Sequence, residues 1–484
     1  MTQTRYSRRE AFQLAGVGAL GAMALPPLAG CSALSRIGLP RNIIFMVSDG
    51  MSAGVPGLAQ ALSRQLRQKN THWHGLLQNQ AVALGQFDMA SLSSMVTDSA
   101  AAITSWCSGS RVDNISINML PDGTELLPIG RIARQTGRKV GMVTTTRITH
   151  ATPAGFLARV RHRDQEEIIA RQYLGEGDVL LGGGRYYFTP EGRDDSDDLE
   201  ARYREKGYRV LNKRSELSGI SGSGPVLGTF GFDHLPYTID CNRESRLREQ
   251  TPSLPEMARA ALRLLSDKPF LLQIEGGRVD HAAHSNDAGA IVWEQLMFDD
   301  AIGEVLEFCR DRNDTLVIIT TDHGNSNPGL NGMGNEYGES NACFARLADC
   351  KESFASMREG LASAIRRKLP MNARAVADRI ANGTGIQLRD EEGQALLDVL
   401  QGKPVIAFNS QHAGFEGLLG DMLSNHLGIG WTGTTHTADW VTVMALGPGS
   451  ELFRGLLRNT DAFPRLVHLL GAEHVNPKDP HDII

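Results

Sequence analysis

An acid and a serine stand side by side in Val96-Thr97-Asp98-Ser99-Ala100-Ala101-Ala102, where a loop runs into an alanine-rich stretch. A serine hydroxyl is a poor nucleophile at neutral pH. A metal ion beside it removes the proton and supplies the missing reactivity. Residues able to hold such an ion recur along the chain: Asp49, Glu275, Asp280 with His284, Asp322-His323, and a late His436. Asp280 and His284 are four apart in RVDHAAHSND, one helical turn, so both can face one ion. Carboxylate with imidazole suits zinc in a catalytic site that keeps an open position. Each piece alone has an ordinary reading: Asp49-Gly50 as a turn, Glu275 as an acid paired with Arg278, His436 as a loop histidine. Their joint placement around Ser99 favours a single metal centre.

The elements that must position these residues are visible as well. Continuous apolar runs of strand length cover residues 42–48, 139–146, 178–181, 269–275, 315–321 and 440–446. Such runs suit strands buried on both faces. Helical patterns at 57–66, 129–136, 166–174, 254–266 and 287–311 alternate with them. The alternation predicts an α/β fold with a mainly parallel central sheet and helices on both faces. Asp49, Glu275, Asp322-His323 and residues 144–152 then fall at the carboxyl ends of strands, where open α/β sheets place their reactive crevice. Residues 185–252 read as polar and irregular, their acidic stretch a solvated loop. Residues 330–430 read as an insertion, expected to cap the site, with helical patterns at 351–368, 373–382 and 390–400.

The 484 residues carry a mildly acidic net charge of -6, which argues against nucleic acid as an electrostatic partner. Any phosphate site must be local. At the N-terminus, Ser7-Arg8-Arg9 and the apolar run to Leu28 resemble a twin-arginine export signal. The run closes on Leu28-Ala29-Gly30-Cys31, which resembles a bacterial lipoprotein cleavage box. Residues 1–31 are therefore read as a signal ending at a lipidated Cys31, with a plain signal cut near Ala29 as the alternative. This places the mature protein in the periplasm or cell envelope, held to the membrane by a lipid anchor. The other cysteines form no C-x-x-C and read as small buried hydrophobes without a disulfide framework.

The motifs NIIFMVSDGM (42–51), VTDSAAA (96–102), ATPAGFLARVRHR (151–163), EGGRVDHAAH (275–284), TTDHG (320–324) and THT (435–437) together carry a resemblance. The chain resembles the alkaline phosphatase family, metal-dependent phosphomonoesterases. The resemblance implies a catalytic domain over residues 40–329 and 431–475, with 330–430 as its cap- or crown-like insertion. It implies Ser99 as the nucleophile that forms a phosphoserine intermediate. Asp280, His284 and His436 would hold one zinc ion, and Asp49, Asp322 and His323 a second. Asp49 would also reach a third ion, usually magnesium, completed by Thr152 and Glu275. Arg163 matches the arginine that clamps phosphate oxygens, and Asp98 the acid that orients it. Two zinc ions about 4 Å apart suit in-line transfer, and a guanidinium suits phosphate. His150 and His281 stand where other members carry aspartate and lysine. They are expected behind the third site, where zinc would compete with magnesium. Small phosphate monoesters are the implied substrates, and a homodimer the implied assembly. The runner-up is a phosphodiesterase of the same superfamily. A sulfatase is disfavoured because no x-Pro-x-Arg follows Ser99. The alternative from another class is a lipid-anchored, non-catalytic metal- or phosphate-binding protein.

Overall fold

Segments such as NIIFMV and TLVIIT have no polar face and are stable only when covered on both sides. In the computed structural model, which describes residues 38–482, both lie at the centre of one large sheet. The signal read at residues 1–31, with Arg8, Arg9 and Cys31, lies outside the described residues. The sheet contains β1 (Asn42–Val47), β2 (Ala83–Asp88), β3 (Lys139–Arg147), β4 (Val179–Gly183), β5 (Arg209–Leu211), β6 (Val226–Thr229), β7 (Phe270–Glu275), β8 (Thr315–Thr320), β9 (Val441–Leu446) and β10 (Gly455–Arg458). Their order is β10-β2-β9-β8-β1-β7-β3-β4-β6-β5. Only β9 runs against its neighbours; every other pair is parallel. The mainly parallel sheet expected from the apolar runs is present.

Helices cover both faces, and successive residues of β1 divide between them. Phe45 meets Trp106 of α2 (Ser99–Ser108) at 5.3 Å and Phe156 of α3 (Ala151–Leu157) at 6.0 Å between ring centroids. Ile44 and Met46 join the opposite cluster with α1 (Val55–Arg67), α4 (Leu254–Leu265) and α6 (Ala288–Cys309). Between α4 and α6 lies the short α5 (Arg278–His284). In α1 the buried Val55, Leu58, Ala59 and Leu62 follow helical spacing. In α4, Ser253 and Glu256 form a capping box that starts the helix.

Residues 330–430 contain the three expected helices, α7 (Phe354–Arg366), α8 (Ala373–Thr384) and α9 (Asp390–Leu400), and two more, a short one at Ser340–Ala345 and α10 (Phe415–Leu427). Their apolar faces, through Met357, Ile380, Leu396 and Leu419, belong to the same buried cluster as Ile44. Two buried acids tie this segment down. Asp240 accepts hydrogen bonds from the Ser353 backbone at 2.9 Å and its hydroxyl at 2.7 Å. Asp287 caps α6 through Ala290 N and also accepts from Phe354 N at 2.7 Å.

Residues 185–252 are more regular than their composition suggested. They hold β5, β6 and short helices at Leu199–Glu205, Thr238–Arg243 and Ser245–Gln250. Strands of three and four residues are too short to show periodicity. The edge pair β2 and β10 went unanticipated because both are half-exposed and carry glycine. Cys107, Cys241, Cys309, Cys343 and Cys350 are all free. Among the described residues no helix is long and apolar enough to cross a membrane.

Asp240→Ala strands two buried donors of Ser353. It is expected to cost about 1–3 kcal/mol, read as a lower midpoint in denaturant unfolding. An unchanged midpoint would show that the 330–430 segment does not depend on this anchor.

Candidate active site

The parallel register carries four segments to one edge of the sheet. Val47 pairs with Glu275 on β7 and with Thr320 on β8, and Thr144 of β3 also pairs with Glu275. Asp49, Glu275 and Asp322-His323 therefore leave their strands at the same level. Gly50 turns the chain there with φ +67, and a Cβ on it would stand 2.5 Å from Asp280 Oδ1. Only glycine permits both the turn and the approach of Asp280 to Asp49.

Asp49, Asp322 and His323 are fully buried. His323 Nε2 lies 3.6 Å from Asp49 Oδ1, 3.3 Å from Asp322 Oδ2 and 3.2 Å from Ser99 Oγ. Neither oxygen of Asp49 has a hydrogen-bond partner, nor do Asp322 Oδ2, Glu275 Oε1 and Thr152 Oγ1. The other Glu275 oxygen accepts from Thr144 Oγ1 at 2.5 Å.

A second cluster sits beside the first, with the His323 and His436 rings stacked at 3.6 Å. Here His284 Nε2 is 3.4 Å from Asp280 Oδ2, and His436 Nε2 is 3.6 Å from Asp280 Oδ1. The two Nε2 atoms are 3.1 Å apart. Each ring's Nδ1 faces a carbonyl, Thr434 O at 2.7 Å and Thr97 O at 2.9 Å. A carbonyl only accepts, so each Nδ1 carries the proton. In the neutral rings Nε2 is then left as the acceptor, facing Asp280 and the other ring, the arrangement that backing groups impose on metal-ligating histidines.

Three groups have ligand atoms within 4.8 Å of one another: Asp280-His284-His436, Asp49-Asp322-His323 and Asp49-His150-Glu275. Burial, then the charges of Asp322, Asp280 and Glu275, push the Asp49 carboxyl well above its ordinary range. Burial likewise lifts Asp322 to about 6 and Glu275 to about 7. Buried acids with unpaired oxygens are costly unless a cation compensates them. Oxygen and imidazole donors in these sets fit zinc, and the oxygen-rich Asp49–Glu275 side also fits magnesium.

A His150 ring nitrogen lies within 4.8 Å of carboxylate oxygens of Asp49 and Glu275. Burial and Arg163 keep the ring neutral by lowering its pKa well below the ordinary value. An arginine only donates, so the Nε2 that faces Arg163 accepts and Nδ1 carries the proton. The His281 ring is 5.6 Å from the His150 ring, with Nδ1 2.7 Å from Arg278 Nη1.

Ser99 is buried at the first position of α2. Asp98 caps that helix by accepting from Ala101 N at 2.9 Å. Its other oxygen accepts from Ile115 N at 3.1 Å and from Arg163 Nη1 at 3.0 Å. Arg163 Nη2 lies 2.9 Å from His150 Nε2. Asp98, the neighbour of Ser99, and His150 together fix the plane of the guanidinium.

Two contributors, Asn325 and His234, went unread in the sequence, and a third, Thr144, was legible only by its place at a strand end. Asn325 donates to Asp280 Oδ1 at 2.7 Å; its place just after TTDHG was the available signal. Thr144, at the end of β3, braces Glu275. His234, whose ring is 4.4 Å from His281 and 5.5 Å from His150, lies in the stretch read as irregular and had no local signal.

Ligand sets of this kind, with a serine 3.2 Å from His323 and an arginine paired to the neighbouring Asp98, suit a metal-dependent enzyme acting on phosphate esters. A sequence model of the alkaline phosphatase family matches residues 40–472. Alkaline phosphatase 4 of Bacillus subtilis (strain 168) is 31% identical over 442 residues, covering 87% of this chain and 87% of that protein. The crystal structure of Thermus thermophilus alkaline phosphatase superposes with a TM-score of 0.86 at 34% identity, covering 95% of this chain and 98% of that one. A cold-active alkaline phosphatase from Shewanella sp. gives a TM-score of 0.73 at 26% identity, covering 89% and 99%. This chain belongs to the alkaline phosphatase family and is a phosphatase.

Without metal, Glu275 and Asp322 stay protonated in the fold to about 7 and about 6, against ordinary values of 4.5 and 3.8. Their folded values are raised, so their contribution favours the fold at low pH and is lost as pH rises from about 4 to about 7. The Tm of the chelated protein is expected to fall over that window. Metal-loaded protein should lack the fall; equal slopes would show that no cation compensates these acids.

Proposed function

We propose that this chain hydrolyses phosphate monoesters through a phosphoserine intermediate on Ser99, at a centre of two zinc ions and one magnesium. The carrying observation is the position of Ser99 Oγ, 3.2 Å from His323 Nε2 at the start of α2, with Arg163 paired to the adjacent Asp98. Asp280, His284 and His436 would hold one zinc, and Asp49, Asp322 and His323 the other. Asp49, Glu275 and Thr152 would hold the magnesium. When bound, these ions acidify the serine hydroxyl and the attacking water and offset charge on the entering and leaving oxygens.

The chain's own residues do the rest. Arg163 grips two non-bridging phosphate oxygens in the geometry a guanidinium suits. Asp98 stops the arginine from swinging, so the phosphorus stays in front of Ser99. Ser99 Oγ forms a bond to phosphorus as the ester oxygen departs with the alcohol. Water then cleaves the Ser99–phosphate bond, freeing inorganic phosphate and restoring the hydroxyl. His284, half-exposed while His323 is fully buried, supports the Asp280 side as the solvent-facing one, where alcohol leaves and water enters. Recognition centres on phosphate, which supports a broad range of alcohols. The same proposal includes export by residues 1–31, lipidation at Cys31 and residence in the periplasm or cell envelope.

The test is p-nitrophenyl phosphate hydrolysis by the purified protein and by Ser99→Ala, with metal content measured on both. Turnover should vanish with chelator and return with zinc plus magnesium. Ser99→Ala should lose at least about a thousandfold in kcat while keeping its metals. Preferential cleavage of bis-p-nitrophenyl phosphate would move the protein to the diesterase branch. Full activity of Ser99→Ala would rule out the phosphoserine.

A further inference from the structure

The segment 330–430 does more than neighbour the site. One of its loops grips the strand of chain that carries His436. Gln411 Oε1 accepts from Thr434 N at 3.0 Å and from Thr435 Oγ1 at 3.3 Å. The Gln411 carbonyl accepts from Thr434 Oγ1 at 3.3 Å. One residue pair away, Asn409 Nδ2 donates to Thr432 O at 3.1 Å, and Asn409 Oδ1 accepts from Gln411 N at 3.1 Å. The loop is itself anchored, because the buried His412 meets Asp421 of α10 at 2.8 Å. The fit against the gripped chain is close: a Cβ on Gly433 would stand 2.2 Å from Gln411 Oε1.

What Gln411 holds is the residue whose carbonyl sets a ligand. Thr434 offers its N–H to Gln411 and its carbonyl to His284 Nδ1. His436 follows two residues later. We infer that Gln411 is a positioning residue for the Asp280–His284–His436 cluster, acting through Thr434. It ties the inserted segment to the solvent-facing metal site. This rests on the reading of that cluster as a zinc site.

The physical basis is orientation. An imidazole whose Nδ1–H is held by a fixed carbonyl keeps its Nε2 lone pair on the ion. When the carbonyl drifts, the lone pair drifts with it. Losing a group of this kind typically weakens a metal site about 10- to 100-fold. Gln411 is itself exposed. Its truncation therefore leaves solvated groups behind, and the fold should be unaffected.

The experiment loads wild type, Gln411→Ala and Gln411→Glu with zinc and follows its loss to a chromogenic chelator. Visible spectra of the cobalt-substituted proteins and thermal midpoints are recorded beside it. In Gln411→Ala one equivalent of metal should leave about tenfold faster, with an altered cobalt spectrum and an unchanged Tm. Gln411→Glu keeps both acceptor contacts and should restore the wild-type rate. Gly433→Ala, which displaces Gln411 from the other side, should mimic Gln411→Ala. A wild-type release rate in Gln411→Ala overturns the inference, as does a Gln411→Glu protein as leaky as the alanine form. A wild type that holds no zinc would instead remove the metal reading on which it rests.

Discussion

Four carboxylates, Asp49, Glu275, Asp280 and Asp322, are buried within range of one another's charge at the end of the sheet. Nothing in the protein neutralises them all. His284 answers Asp280, and its own charging is opposed by burial yet lifted to about 9 by that acid. Asp49 has no hydrogen-bond donor at all. The protein's most costly feature is therefore also its most informative one. Metal binding and the final stability of this edge are a single equilibrium, since without cations these acids must take up protons or repel one another.

That constraint explains the precision of the central strands. β1 lies between β7 and β8, so Asp49 is flanked by the acids that leave each neighbour. A slip of one residue would turn every side chain of β1 to the opposite face. Phe45 would leave Trp106 and Phe156, and Ile44 would leave the cluster of α1, α4 and α6. Apolar packing on both faces thus fixes the register, and the register fixes the spacing of the acids. The core does not need the metals to choose its pairing, but the metals need the core's choice.

The same logic separates what was readable in the sequence from what was not. β1, β3, β7 and β8 announce themselves as unbroken apolar runs, and an acid directly after such a run marks the reactive edge. Asp49, Glu275, Asp322 and His323 were readable for that reason. Asp280 and His284 were readable because a four-residue interval has a meaning on a helix. β5 and β6 were hidden by their shortness, and β2 by its half-exposed face. His234 and Gln411 were hidden for a different reason: their partners lie far off in the chain, and only the fold brings them near. His150 was recognised, but its pairing with Arg163 was not, a matter of the local turn before α3 that residue type does not express.

The stretch Thr97-Asp98-Ser99 shows why the centre works as a unit. The Thr97 carbonyl fixes the His436 tautomer, the Asp98 carboxylate aims Arg163, and Ser99 presents the hydroxyl. Three successive residues thus reach His436, Arg163 and the Ser99 hydroxyl, the groups to which the proposed function gives the roles of metal ligand, phosphate clamp and nucleophile. Asp98 also caps α2, so the helix start and the arginine share one anchor. A displacement of this short segment would disturb all three functions together, in a correlated way. The buried alanines after Ser99 make sense in that light: Ala100, Ala101 and Ala102 let the first turn of α2 sit flush against its surroundings, with no side chain to push it off position.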